Sequence, residues 1–181
     1  MVEVLRIADV KPVLWNGRES RVLAFDLRNL LPLVVEEGPS LHWAAIPIGN
    51  EGTYILGNEG ARSEEAFALG EMVDADDEGV PLAWDDLVDL TDSVLQTVWG
   101  TFVGVRDPSA FAEIPQLFNG EWRYLDRGTE MFYDLVEIAF QAVDSSFWLV
   151  WAKDEAVRER IRGAFSAVET ISGMSRYEPQ T

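Results

Sequence analysis

Apolar and polar positions are most clearly ordered between Phe132 and Phe165, and that order predicts a strand, a turn, a second strand and a helix. In an extended chain Phe132, Val136, Ile138, Phe140 and Ala142 fall on one side, and Tyr133, Leu135, Glu137, Ala139, Gln141 and Val143 on the other. Asp144-Ser145 breaks this run before Phe147-Trp148-Leu149-Val150-Trp151, a spacing that predicts a β-hairpin. Glu137, with Tyr133 and Gln141 on its side, is expected in a solvent-facing stripe. Phe147 and Trp151 point opposite to Trp148, so the sheet needs helices on both faces or a partner on one. Asp154 stands in capping position ahead of a helix with Val157, Ile161, Ala164, Phe165 and Val168 on its apolar side.

The rest of the chain repeats this alternation less regularly. Val2 to Trp15 suits a helix at its start and a strand at its end, where Asn16-Gly17 supplies a tight turn. Val22–Phe25 is expected as a buried strand, and Asn29 as the cap of a helix reaching about Glu37. Leu41–Ile48 is expected to be extended, ending near Pro47. Two copies of Gly-Asn-Glu-Gly, at 49–52 and 57–60, bracket Thr53-Tyr54-Ile55-Leu56 as turns around a short strand. Ser63 caps a helix over 64–73, and a second helix runs from Asp85 or Asp86 to about Gln96, with Leu87, Leu90 or Thr91, Val94 and Leu95 inward. Thr97–Arg106 is apolar on both sides and predicts an interior strand, with Gly100 and Gly104 admitting a close neighbour. Asp107-Pro108 opens a short helix ending before Pro115, Asn119-Gly120 turns the chain, and 121–125 alternates as another strand. The chain after Ile171 becomes polar, and residues 176–181 are expected as a loose tail.

These elements predict an α+β fold: one domain over 1–175, with a mainly antiparallel sheet covered by helices and an acidic helical insertion at about 63–96. At 181 residues and 48% apolar content the chain can bury a core of its own, and it contains no cysteine for disulfides or thiolate chemistry. The N-terminal sequence lacks the pattern of a secretory signal, and no apolar run reaches the ~20 residues of a membrane helix. A cytoplasmic protein is expected.

Charge changes the picture more than composition does. The net charge is −18, and the eleven acids between Glu64 and Asp92 have no Lys or Arg among them. Such a field repels nucleic acid and anionic membranes and favours a basic protein surface. Glu71, Asp77, Asp86, Asp89 and Asp92 are therefore the expected partner-binding residues.

Within this segment, Asp74-Ala75-Asp76-Asp77-Glu78-Gly79-Val80-Pro81-Leu82-Ala83-Trp84-Asp85 resembles the calcium loop of the EF-hand family, between two predicted helices. The resemblance covers these twelve residues alone. It implies Asp74, Asp76, Glu78 and Asp85 as side-chain ligands of Ca2+ or Mg2+, the Val80 carbonyl as a further ligand, and Gly79 at the turn. It departs from the family's pattern in Glu78, in Asp85 where a Glu is usual, in Pro81, and in the lack of a second such loop.

Other chemistries find little support. His42 is the only histidine, which excludes a histidine-rich metal centre; beside Trp43 it is expected to be packed. The chain has no G-x-S-x-G elbow, P-loop or G-x-G-x-x-G. No catalytic residue and no cofactor is assigned. The reading that results is a non-enzymatic acidic module that binds a basic protein, similar in kind to bacterial immunity proteins that neutralise basic toxins. The alternative is a small-ligand or carboxylate-site enzyme with a divalent cation near the 74–85 loop.

Overall fold

The hairpin around Asp144-Ser145 lies at the centre of one antiparallel sheet. The computed structural model describes residues 2–15, 17–47, 52–57, 63–118 and 124–173. The first half of the chain forms β1 (Val2–Ile7), β2 (Val10–Trp15), β3 (Arg18–Leu23), α1 (Leu27–Leu30), β4 (His42–Ile46), β5 (Tyr54–Gly57), α2 (Ser63–Ala75), β6 (Val80–Leu82) and α3 (Trp84–Ser93). The second half forms β7 (Val94–Val105), α4 (Glu130–Leu135), β8 (Val136–Val143), β9 (Phe147–Ala152), α5 (Glu155–Ala164) and β10 (Val168–Gly173). The fold is α+β. In the main sheet the strands run β10-β1-β9-β8-β7-β4-β6, every described pairing is antiparallel, and β5 pairs with the first half of β7. β2 and β3 form a separate two-stranded sheet.

Both faces of the main sheet are covered, as the opposed aromatics of β9 require. On one face Trp148 and Val150 join Leu27 and Leu30 of α1, Ala66, Leu69 and Val73 of α2, Leu87 of α3, and Val157 and Ile161 of α5. On the other, Leu149 and Trp151 join Phe111, Ile114, Leu125, Phe132 and Tyr133, from 3-10 turns and α4. Asp144 and Ser145 both take positive φ (48° and 53°), at the centre of a turn closed by the Ser146 N–H on the Val143 carbonyl at 2.8 Å, within a three-residue connection between Val143 and its partner Phe147. Asp154 caps α5 by accepting a bond from the Ala156 N–H at 2.8 Å.

Several expectations are corrected. Phe132–Leu135 is helical, because Thr129 caps α4 through its hydroxyl and the strand begins only at Val136. β8 then carries a bulge: Gly104 pairs with Ile138 and Val105 with Val136, leaving Glu137 as the extra residue. The bulge moves Val136 to the side of Ala139 and Val143, opposite Ile138. The expected stripe of Tyr133, Glu137 and Gln141 is not solvent-facing. Tyr133 and Gln141 are buried beneath the 3-10 turns, and Glu137 is held between Arg106 and Lys153 at 3.2 and 3.6 Å.

The chain's start is two strands, β1 and β2, with no helix. Asp26 rather than Asn29 caps the first helix, and Asn29 instead accepts a bond from the Asp26 N–H, completing a capping box. That helix is one turn, continued by 3-10 turns at Leu31–Val34 and Gly38–Ser40. α3 ends at Ser93, so Leu95 belongs to β7 and is exposed. Leu125–Arg127 is a 3-10 turn instead of a strand end, and β10 runs to Gly173. Asn119-Gly120, Trp122, most of both Gly-Asn-Glu-Gly copies and the 176–181 tail lie outside the described residues.

Candidate functional site

The acidic segment folds as two helices packed on the sheet through their apolar sides. In α2, Ala66, Leu69, Gly70 and Val73 are buried, while Glu64, Glu65 and Glu71 are exposed. Its packing is close: a Cβ on Gly70 would sit 2.8 Å from the Thr53 carbonyl oxygen. Glu64 and Glu65 occupy the first turn, where the helix dipole favours negative charge, and Asp85 and Asp86 do the same in α3. Leu87 and Thr91 anchor α3 inward, and Asp85, Asp89 and Asp92 point out, as their spacing predicts.

Between the two helices lies a depression of about 330 Å³ lined by Glu65, Leu69, Leu82, Asp86, Asp89 and Leu90. Three leucines therefore face the same hollow as three carboxylates. Of the five residues expected to bind a partner, Asp86 and Asp89 meet here. Glu71, Asp77 and Asp92 are exposed on the same segment without lining the hollow. Glu65 was missed, although its place four residues before Leu69 sets both on one flank of α2.

The ion pairs of the described arginines lie elsewhere than this hollow. Arg160 grips both carboxylate oxygens of Glu37 at 2.6 Å, Arg162 pairs with Glu3 at 2.8 Å and with Glu155 and Glu159, and Arg106 and Lys153 hold Glu137. Among the described residues no basic side chain pairs with Glu65, Glu71, Asp77, Asp86 or Asp89.

The 74–85 loop is built by hydrogen bonds to its own neighbourhood. Asp74 ends its helix by accepting the Thr53 N–H at 2.6 Å, and Asp76 accepts the Glu78 N–H at 2.9 Å. Gly79 takes φ +86°, and a Cβ there would stand 2.6 Å from the Ala45 carbonyl oxygen, so the turn glycine serves to lay β6 against β4. Asp85 belongs to the first turn of α3. Among the described residues no three His, Asp or Glu side chains converge as a metal ion would require.

A second hollow, about 580 Å³, opens where this loop meets the end of β4, with Glu78, Trp43, Pro81, Phe111, Ser109 and His42 among its lining. His42 is exposed and not packed as expected; its neighbour Trp43 is the buried one, donating to the Gly38 carbonyl at 2.8 Å. His42 shares its side of the sheet with Ala44 and Ile46, both buried, so its exposure goes with its place at the first position of β4 and not with its side of the sheet. Ser109 donates both its N–H and its hydroxyl to Asp107, which holds that carboxyl below its ordinary pKa. The serine hydroxyl is thus directed to a carboxylate and not to His42.

These features define the class: an α+β protein whose main antiparallel sheet is covered on both faces, carrying an acidic, leucine-floored hollow on one of them. No family model matches the chain, and no curated protein or solved structure matches it significantly. Among the described residues no helix is long and apolar enough to cross a membrane.

Proposed function

We propose that the protein is a non-enzymatic binding module for a basic protein, acting in the cytoplasm in the manner of a bacterial immunity-type inhibitor. The observation that carries this reading is the α2–α3 hollow, where Leu69, Leu82 and Leu90 lie among Glu65, Asp86 and Asp89. A lysine or arginine from the partner combines an apolar stem with a cationic head, so it can lie on the leucines while its charge meets the carboxylates. The surrounding field, with net charge −18, speeds encounter with a basic surface and disfavours nucleic acid. Glu71, Asp77 and Asp92 contribute to that field from outside the hollow.

The test is titration against a basic nuclease at increasing ionic strength. Binding should weaken as salt rises, and Asp86→Asn with Asp89→Asn should weaken it by roughly tenfold, the scale of ~1.4 kcal/mol. An association indifferent to salt, or to this double substitution, overturns the reading.

The cleft beside His42 favours a second reading, a small-molecule site, because its volume of about 580 Å³ falls within the ~300–1,000 Å³ range of ligand pockets. Under that reading a ligand bound there raises the melting temperature, and filling the cleft with Ser109→Trp abolishes the rise.

A further inference from the structure

Cations are not spread evenly over this acidic molecule. Arg6, Arg106, Lys153, Arg158, Arg160 and Arg162 each form an ion pair within the body. By contrast, among the described residues Lys11, Arg18 and Arg21 of the β2–β3 hairpin have no ion-pair partner, and all three are exposed. The hairpin, residues 10–23, carries three cations against the single carboxylate of Glu19, so its charge is opposite in sign to that of the chain.

The register shows what the hairpin presents. Val10 pairs with Leu23, Pro12 with Arg21 and Leu14 with Glu19, so Val10, Pro12 and Leu14 form a row on one face with Leu23, Arg21 and Glu19 across from them. Toward the tip that face is open, with Leu14 80% exposed, whereas at its base Val10 is 36% exposed and its partner Leu23 is buried. A lone two-stranded sheet in water is marginal, and an uncovered apolar row adds to the need for cover. Its edges are poor templates for strand addition, since Pro12 lacks an N–H and β3 carries Arg18, Glu19 and Arg21.

We infer that this hairpin is a docking arm, and that its occupant is the α2–α3 hollow of a second copy of the chain. The two surfaces match in apolar character and in net charge: the arm offers an apolar row and, over residues 10–23, three cations against the one carboxylate of Glu19, and the hollow offers three leucines with three carboxylates. Two copies of net charge −18 repel at long range. At ~0.1 M salt the Debye length of ~10 Å screens that repulsion more than it screens a contact at hydrogen-bond distance, whereas at ~1 M it falls to ~3 Å and the contact weakens too. The inference shares its hollow with the proposed function, so a basic partner would compete with the arm.

The experiment is sedimentation of the whole chain over a concentration series at ~0.1 M and ~1 M salt, with binding of a basic nuclease measured on the same samples. The wild type should self-associate at the lower salt and dissociate at the higher. Leu14→Glu and Arg21→Glu, both at exposed positions, should each weaken self-association about tenfold or more while circular dichroism and nuclease binding are retained. Mixing Arg21→Glu with an Asp86→Lys, Asp89→Lys variant should restore association between the two. A wild type monomeric at both salts, or an Arg21→Glu variant that associates as the wild type does, overturns the inference. If the nuclease still binds in either case, the reading of the hollow as a site for a basic partner survives.

Discussion

The carboxylate of Asp26 caps α1 and also accepts two hydrogen bonds from Thr97, which is 71 residues away: 2.8 Å to its N–H and 2.9 Å to its hydroxyl. One buried side chain therefore fixes the first helix, on the outer layer, to the first half of the longest strand, in the sheet. Asp26→Ala removes a helix cap and leaves the buried Thr97 N–H without its acceptor, so we expect a loss of about 2–4 kcal/mol in urea unfolding. Thr97→Val removes only the hydroxyl bond and should cost about 1 kcal/mol. Comparable losses for the two would show that the backbone bond to Asp26 contributes little.

The same carboxyl makes stability depend on pH. Burial raises its pKa above the ordinary 3.8, while bonds from Thr97 and Leu27 and the charge of Arg28 oppose the rise. The folded state thus holds the proton more tightly than the unfolded state. This contribution to stability is fully present below 3.8 and is lost as pH climbs through the raised folded value. Measured against Asp26→Asn, which cannot titrate, the wild type should be relatively more stable at acidic pH and lose that advantage on the way to neutrality. A difference that stays flat with pH contradicts the assignment.

Gly38 and Trp84 show a second long-range fit. A Cβ on Gly38 would lie 2.2 Å from the Trp84 ring, and the Gly38 carbonyl accepts the indole N–H of Trp43 at 2.8 Å. Trp84 opens α3, so this glycine helps seat the helix that carries Asp86 and Asp89. Gly38→Ala should destabilise by about 1–3 kcal/mol through overpacking, measured by chemical unfolding. It should also weaken nuclease binding without touching a carboxylate.

What the sequence made legible follows from the range of the forces involved. The β8–β9 hairpin, the Asp154 cap and the inward positions of α3 rest on local periodicity and short turns, which a few residues specify. The errors arise where distant contacts decide. Nothing local to Glu137 shows the bulge or the 3-10 cover that enclose it, and nothing local to Asn29 shows that Thr97 recruits Asp26 as the cap. The candidate hollow is half legible: Asp86 and Asp89 follow from their helix, whereas Glu65 and the leucine floor require the packing of α2 against α3.

Gln141 illustrates the cost of covering both sheet faces. Its side chain is buried in β8, accepts the Leu125 N–H at 2.9 Å and donates to the Thr101 hydroxyl at 3.2 Å. Tyr133, beside it, donates to the Leu125 carbonyl, and burial raises its pKa. Gln141→Leu preserves size but strands both the Leu125 N–H and the Thr101 hydroxyl, for a cost of about 1–3 kcal/mol. Hydrogen exchange should show the loss at Leu125 before it appears in the β8–β9 ladder. Equal protection of Leu125 in the variant would mean that another acceptor replaces Gln141.

The 74–85 loop separates a folding role from a metal-binding one. Asp74 accepts the Thr53 N–H, tying the end of α2 to the approach to β5, whereas Asp76 serves an exposed turn and Asp85 an exposed first helical turn. In a cation site all of these carboxylates act together, so Asp74→Ala, Asp76→Ala and Asp85→Ala would each abolish a calcium-dependent rise in melting temperature. In the arrangement described here they are independent: Asp74→Ala should cost about 1–2 kcal/mol, and Asp76→Ala and Asp85→Ala about 0.5 kcal/mol or less. Calcium or magnesium should leave all four proteins unmoved. The decisive comparison is Asp74→Ala against Asp76→Ala without added metal, because hydrogen bonding to Thr53 distinguishes the two residues while shared ligation of a cation would make them alike.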